Sequence, residues 1–93
     1  MPKTINATHY EEIPIFHEKN DREACIVNAI IETPRGSRHK YALKPEYGII
    51  AFKELMPDGL TWPADYGFIP QTLADDGDPL DIAVITEAGL IPG

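Results

Sequence analysis

The chain has 93 residues with 8 Lys+Arg against 15 Asp+Glu, a formal net charge of −7 and a pI near 4.7. That length allows one thin-cored domain, and a hydrophobic fraction of 43% is that of a globular protein, which excludes wholesale disorder. The acidic balance argues against nucleic acid and against an anionic membrane surface as partners, because both need a basic face. A single cysteine, Cys25, excludes an internal disulfide and suits a reducing compartment. No apolar run is long enough to span a membrane, and Met1 to Tyr10 lacks the apolar centre of a signal peptide. The expected location is cytoplasmic.

In chain order, residues 1–23 show no apolar period, with Ile13, Ile15 and Phe16 as anchors interrupted by Pro14. They read as an arm that packs on a domain formed by residues 24–93. Cys25, Ile26, Val27, Ala29, Ile30 and Ile31 form a β-branched run ended by Pro34 and Gly36, which predicts a first strand with Cys25 buried in it. Arg38–Lys44 alternates around Tyr41 and Leu43 as a second strand, and Gly48–Leu55 predicts a third. Pro57-Asp58-Gly59 is a turn, and Trp62-Pro63 excludes helix at that point. Tyr66–Thr72 and Leu80–Thr86 predict the fourth and fifth strands, with a tight acidic loop between them. No 3.6-residue apolar period lasts three turns. Five short strands joined by Gly/Pro turns predict a mainly β fold, a small closed or nearly closed barrel. Trp62, Tyr47 and Phe52 read as core, and His39 as a surface residue.

The charge is unevenly spread. Residues 1–53 carry all eight basic residues and a net +1, whereas residues 54–93 carry −8 with no Lys or Arg. The acids of the second half are interleaved with Trp62, Tyr66, Phe68, Ile69, Leu80, Ile82, Val84 and Ile85, so this is not a solvated tail. Acids beside a core repel one another unless a counter-charge is supplied, by a cation or by a further basic segment. The densest cluster is Asp75-Asp76-Gly77-Asp78-Pro79-Leu80-Asp81. Gly77 lets the backbone fold so that the flanking carboxylates point one way, and Asp81 opens a strand between Leu80 and Ile82. Clustered oxygen ligands suit hard cations. The spacing excludes an EF-hand, and Cys25, His9, His17 and His39 lack zinc-ligand spacing. The competing interpretation is a solvated Asp-rich turn.

Asp76-Gly77-Asp78-Pro79-Leu80-Asp81-Ile82 resembles the D-x-D-P-x-D signature of family I soluble inorganic pyrophosphatases. Ile31-Glu32-Thr33-Pro34, His39-Lys40-Tyr41 and Trp62-Pro63-Ala64-Asp65-Tyr66-Gly67-Phe68-Ile69-Pro70 resemble further segments of that family, in the same order. The resemblance covers about residues 24–93. It implies a five-stranded, OB-like barrel that hydrolyses pyrophosphate to two phosphates with Mg²⁺, Mn²⁺ being a substitute. Carried over by position, Asp76 and Asp81 would ligate the activating metals, Asp78 would take the proton of the attacking water, and Glu32 would meet a further metal on the substrate side. Lys40 would neutralise a phosphate and Tyr66 would hydrogen-bond one. Pyrophosphate and phosphate, with a homo-oligomeric assembly, are the implied partners.

Three departures accompany the match. Ala42 stands where the family places an acid. Glu54 stands where it places a phosphate-gripping arginine, with Lys53 just before it; a one-residue slip would let Lys53 serve, on the other face of the strand. The family's second acidic pair, its following lysine and its Tyr-Lys pair lie beyond residue 93. The chain is therefore expected to be the N-terminal part of a longer barrel protein. The alternative is a catalytically degenerate relative that serves as a metal-binding or interaction module.

Overall fold

The computed structural model describes residues 12–93. Part of the expected arm, along with His9, lies outside the described residues. Five antiparallel strands follow a one-turn helix: α1 (Asp21–Ala24), β1 (Ile30–Thr33), β2 (His39–Lys44), β3 (Ile49–Leu55), β4 (Asp65–Ile69) and β5 (Leu80–Val84). β4 lies between β1 and β5 in a three-stranded sheet, and β2 pairs with β3 in a two-stranded one. The β2–β3 hairpin closes on Lys44, whose carbonyl accepts from the N–H groups of Tyr47 and Gly48, the latter at φ 66°. Pro45 and this positive φ suit a tight turn.

The five strands appear in the predicted order, but the first is shorter than predicted. The apolar run from Cys25 does not extend as strand. Cys25 instead caps α1 in the left-handed region, at φ 56°, and is exposed. Asn28 ties the following segment back, its N–H donating to Ile15 O and its side chain to Pro14 O. Ile26 is 56% exposed and Val27 half-buried, since no strand is available beside residues 25–29 for this β-branched run to pair with.

The core is small. Ile30 and Phe68 are buried, and Ile13, Leu43 and Ile50 pack against them, bringing both sheets and the described end of the arm together. Thr33 joins the sheets by hydrogen bonds. Its hydroxyl donates to Tyr41 O and accepts from Tyr41 N–H, both at 3.0 Å, with the residue 1% exposed. Gly67, in the middle of β4, lies so close to β1 that a Cβ there would stand 1.8 Å from Ile30 O. The aromatic residues Tyr47 and Phe52, expected in the core, are 72% and 58% exposed. Phe52 stands opposite Tyr41 on the outer face of the hairpin, in ring contact with Tyr41 and His39, while Trp62 is half-buried.

Asp65 opens β4 with no solvent exposure and acts as a knot. Its carboxylate accepts from Arg35 N–H (2.8 Å), Leu90 N–H (3.0 Å) and the Thr86 hydroxyl (2.5 Å). Those donors, Thr86 first, hold its carboxyl below the usual carboxylate range against the opposing effect of burial. A depressed folded-state pKa stabilises the fold above the unfolded value of about 3.9, and that contribution disappears as pH falls through the folded-state value. The melting midpoint is thus expected to hold steady down to about pH 4 and to fall below it. Asp65→Asn should lower the midpoint at pH 7 by about 5 °C or more and flatten the acid limb. Thermal scans from pH 7 to pH 2 check both, and parallel acid limbs for the two proteins would discard this role.

Candidate active site

One cleft of about 410 Å³ lies where the two sheets meet, and the charged residues of four strands and one loop line it: Glu32, Lys40, Lys53, Asp76, Asp78 and Asp81, with Tyr66. Five distant stretches of sequence reach this place for separate local reasons. The β4–β5 loop is braced from within. Asp78 N–H donates to Asp76 Oδ1 at 3.0 Å, Ala74 N–H to Asp78 O and Gly77 N–H to Ala74 O, with Gly77 at φ 87°. Thr72 ties the loop's two ends, donating to Ile69 O and accepting from Leu80 N–H. Asp81 then enters β5 opposite Phe68, one diagonal step from Tyr66 on the same sheet face.

Glu32 and Lys53 each sit at a break in register. Ile31 pairs with Gly67 and Thr33 with Tyr66, which leaves Glu32 as the extra residue of a β-bulge. Lys40 pairs with Glu54 and Tyr41 with Phe52, which leaves Lys53 as the extra residue of a second bulge. A bulge bends its strand and re-aims one side chain, and both of these aim a charged residue at the same cleft.

The cleft's electrostatics follow from this crowding. Burial raises the Glu32 carboxyl above its usual range. A hydrogen bond from Leu43 N–H at 2.7 Å opposes the rise, nearby Asp81 adds to it, and Lys40 and Lys53 pull it down. Burial likewise raises the Tyr66 hydroxyl, with the Asp81 charge and the hydrogen bond to Asp81 next in effect and Glu32 behind them. Lys40 is held on two sides: its ammonium lies 4.0 Å from Glu54 and 5.6 Å from the Trp62 ring centroid. Trp62 also packs on Tyr66, at 5.0 Å between rings, and its buried indole N–H has no hydrogen-bond partner among the described residues.

Of the eight acids in residues 54–93, Asp65 is satisfied by donors, Asp58 by Arg38 at 2.9 Å and Glu54 by Lys40. Asp75, Asp76, Asp78, Asp81 and Glu87 have no cationic partner within 4 Å among the described residues, and of these Asp76, Asp78 and Asp81 face the cleft. The donor set is all oxygen and suits a hard divalent cation. Among the described residues no three carboxylate, imidazole or thiolate groups converge closely enough to enclose an ion. This open arrangement fits Mg²⁺, which binds through one or two carboxylates and completes its shell with water or phosphate oxygens.

All the site residues expected from the sequence reach the cleft. Ala42, where an acid was expected, lines it too. Glu54 does not line it. Lys53 does, which spacing alone had left open, since a regular strand would put residues 53 and 54 on opposite faces.

The protein-family model for inorganic pyrophosphatase matches residues 29–93. The chain is 47% identical over 73 residues to the inorganic pyrophosphatase of Thermus thermophilus, covering 78% of this chain and 42% of that protein. It is 46% identical over 68 residues to that of Sulfolobus acidocaldarius, covering 73% and 39%. The crystal structure of the Thermus thermophilus inorganic pyrophosphatase superposes with a TM-score of 0.79 at 40% identity, covering 90% of this chain and 46% of that one. The chain thus spans less than half the length of these relatives.

Proposed function

Because the chain belongs to the inorganic pyrophosphatase family, we propose that its cleft serves the Mg²⁺-dependent hydrolysis of inorganic pyrophosphate to two phosphates. The observation that carries this reading is the meeting of Glu32, Asp76, Asp78 and Asp81 with two lysines and a neutral tyrosine in one cleft. Pyrophosphate is a dense anion, so an acidic cleft can receive it only together with cations. Bound Mg²⁺ supplies charge neutralisation and acidifies water. Asp76 and Asp81, with Glu32 in the same cleft, are the residues that would hold it, and Mn²⁺ can substitute.

The remaining roles belong to the chain itself. Asp78, fixed by the Asx turn through Asp76, accepts the proton of the attacking water. Tyr66 donates to a phosphate oxygen, its phenol being protonated at neutral pH as tyrosines ordinarily are. Lys40, steadied by Glu54 and Trp62, neutralises a phosphate. A homo-oligomer is proposed as the working state, supported by the exposure of Ile85 and Ile91, at 91% and 89%. The cytoplasm is the proposed location, where the exposed Cys25 thiol stays reduced. Among the described residues no helix is long and apolar enough to cross a membrane.

Calorimetry with Mg²⁺ tests the site. Binding is expected to be weak, with a dissociation constant on the order of 10⁻⁴–10⁻³ M for an open oxygen site. Asp81→Asn should weaken it by at least about tenfold. Equal heats for the two proteins would remove the metal site and the proposed reaction with it. A second reading, a non-catalytic metal-binding module, draws on Ala42 in the cleft wall and on Glu54 beside Lys40. Phosphate release separates the two.

A further inference from the structure

The register of the β2–β3 hairpin carries an assignment that residue order does not. In an unbroken strand, Lys53 and Glu54 would face opposite ways, and only one could approach the cleft. The register pairs Glu54 with Lys40 and Phe52 with Tyr41, and the bulge leaves Lys53 between them without a pairing partner. Glu54 stands 4.0 Å from the Lys40 ammonium and is absent from the cleft lining. Lys53 lines the cleft and makes no ion pair within 4.0 Å among the described residues. Ala42, which pairs with Ala51, also lines the cleft and offers no carboxylate to occupy the ammonium. The Lys53 charge is nonetheless felt at Glu32, which lines the same cleft. The other bulge delivers Glu32 to the same cavity, so the two register breaks bring opposite charges to it.

We propose that Lys53 is an anion-binding residue of this cleft, delivered by the β3 bulge to take a phosphate oxygen of the substrate, while Glu54 is withdrawn from substrate by its pairing with Lys40. The assignment rests on the pyrophosphate reading. It divides the labour between the two lysines. Lys40 is a placed cation, fixed by a carboxylate and an indole face, and Lys53 is an exposed, uncommitted one that gains a partner only when an anion enters. A mobile ammonium on a flexible stem suits that use, because its charge follows the ligand.

Titration calorimetry with methylenediphosphonate, a non-hydrolysable diphosphonate, in the presence of Mg²⁺ tests the assignment. Lys53→Met should weaken diphosphonate binding about tenfold at low salt, and Lys53→Arg should stay within about threefold of the unaltered chain. Lys53→Gln, which keeps a polar side chain at this exposed position, should behave like Lys53→Met. The loss should shrink as ionic strength rises, a signature that a packing defect does not produce. Binding of Mg²⁺ alone should be no weaker in Lys53→Met, since the carboxylates are untouched and a positive charge has left. Equal diphosphonate affinity in the unaltered chain and in both neutral variants would overturn the role of Lys53 and leave the proposed function standing. If the unaltered chain binds Mg²⁺ but no diphosphonate, both are overturned.

Discussion

Asp78→Asn is expected to lower the rate of phosphate release from Mg²⁺–pyrophosphate by about 10²–10⁴-fold, the usual worth of a positioned general base. Asp78 lies in the loop that Thr72 and Asp76 brace, so the substitution removes a proton acceptor from a place that is already built. The asparagine retains the backbone N–H that donates to Asp76, and the loop should keep its form. Circular dichroism and the melting midpoint should therefore match those of the unaltered chain while turnover falls. The absolute rate is expected to be low even without the substitution. Only Lys40 and Lys53 bring positive charge to the cleft among the described residues, and Lys40 already shares its charge with Glu54. Neutralising the transferred and leaving phosphates is commonly worth several powers of ten, so turnover should lie below the typical value of about 10 per second. Release measured with excess Mg²⁺ on both proteins checks the two statements together. Equal rates would remove Asp78 from the reaction, and a rate of about 10 per second or more would show that the cleft's charge complement suffices.

Gly67→Ala is expected to abolish the fold. The new Cβ would lie 1.8 Å from Ile30 O and 2.9 Å from Ile31 Cα, and both obstacles are backbone atoms that cannot turn aside. Relief requires β1 to separate from β4, which undoes the burial of Ile30, Ile31 and Phe68. Overpacking a core costs about 1–3 kcal/mol where side chains can yield, and more where they cannot. A small domain has a total margin near the lower end of the usual 5–15 kcal/mol, roughly. Gly59→Ala is the matched comparison. Gly59 has φ +82° and nothing within 4 Å of its Cβ position, so only the left-handed conformation is penalised, at about 1–2 kcal/mol. Chemical denaturation should thus show a cooperative transition for Gly59→Ala and none for Gly67→Ala. A folded Gly67→Ala chain of near-normal stability would mean that β1 and β4 do not pair this closely.

The two bulges and the buried acid mark where reasoning from residue order ran out. Composition and turn residues predicted five strands and their order because Gly, Pro and β-branched residues act locally, on the backbone that carries them. The acidic loop was legible for the same reason: Asp76, Gly77 and Asp78 are consecutive, and their turn is made by their own atoms. The unbalanced charge of residues 54–93 was legible too, as a demand for cations. The sequence left unstated which acids have partners. In sequence Asp65 figures only as part of the Trp62–Pro70 segment, yet it is buried under donors from residues 35, 86 and 90. Asp58 is met by Arg38, just before β2, and Glu54 by Lys40 within it.

Local composition by itself determined the β class, the five strands along the chain and the acidic turn. Tertiary structure alone decided which charges face the cleft. A side chain's face depends on pairing register, and one unpaired residue reverses it. Glu32 and Lys53 enter the cleft because β4 and β2 skip them, a choice made by the partner strands. Cys25, Tyr47 and Phe52 remain outside for the converse reason. Their composition suits burial, but a core built on Ile30 and Phe68 is filled by Ile13, Leu43 and Ile50, and in so small a domain an apolar side chain is buried only if a neighbouring element reaches it.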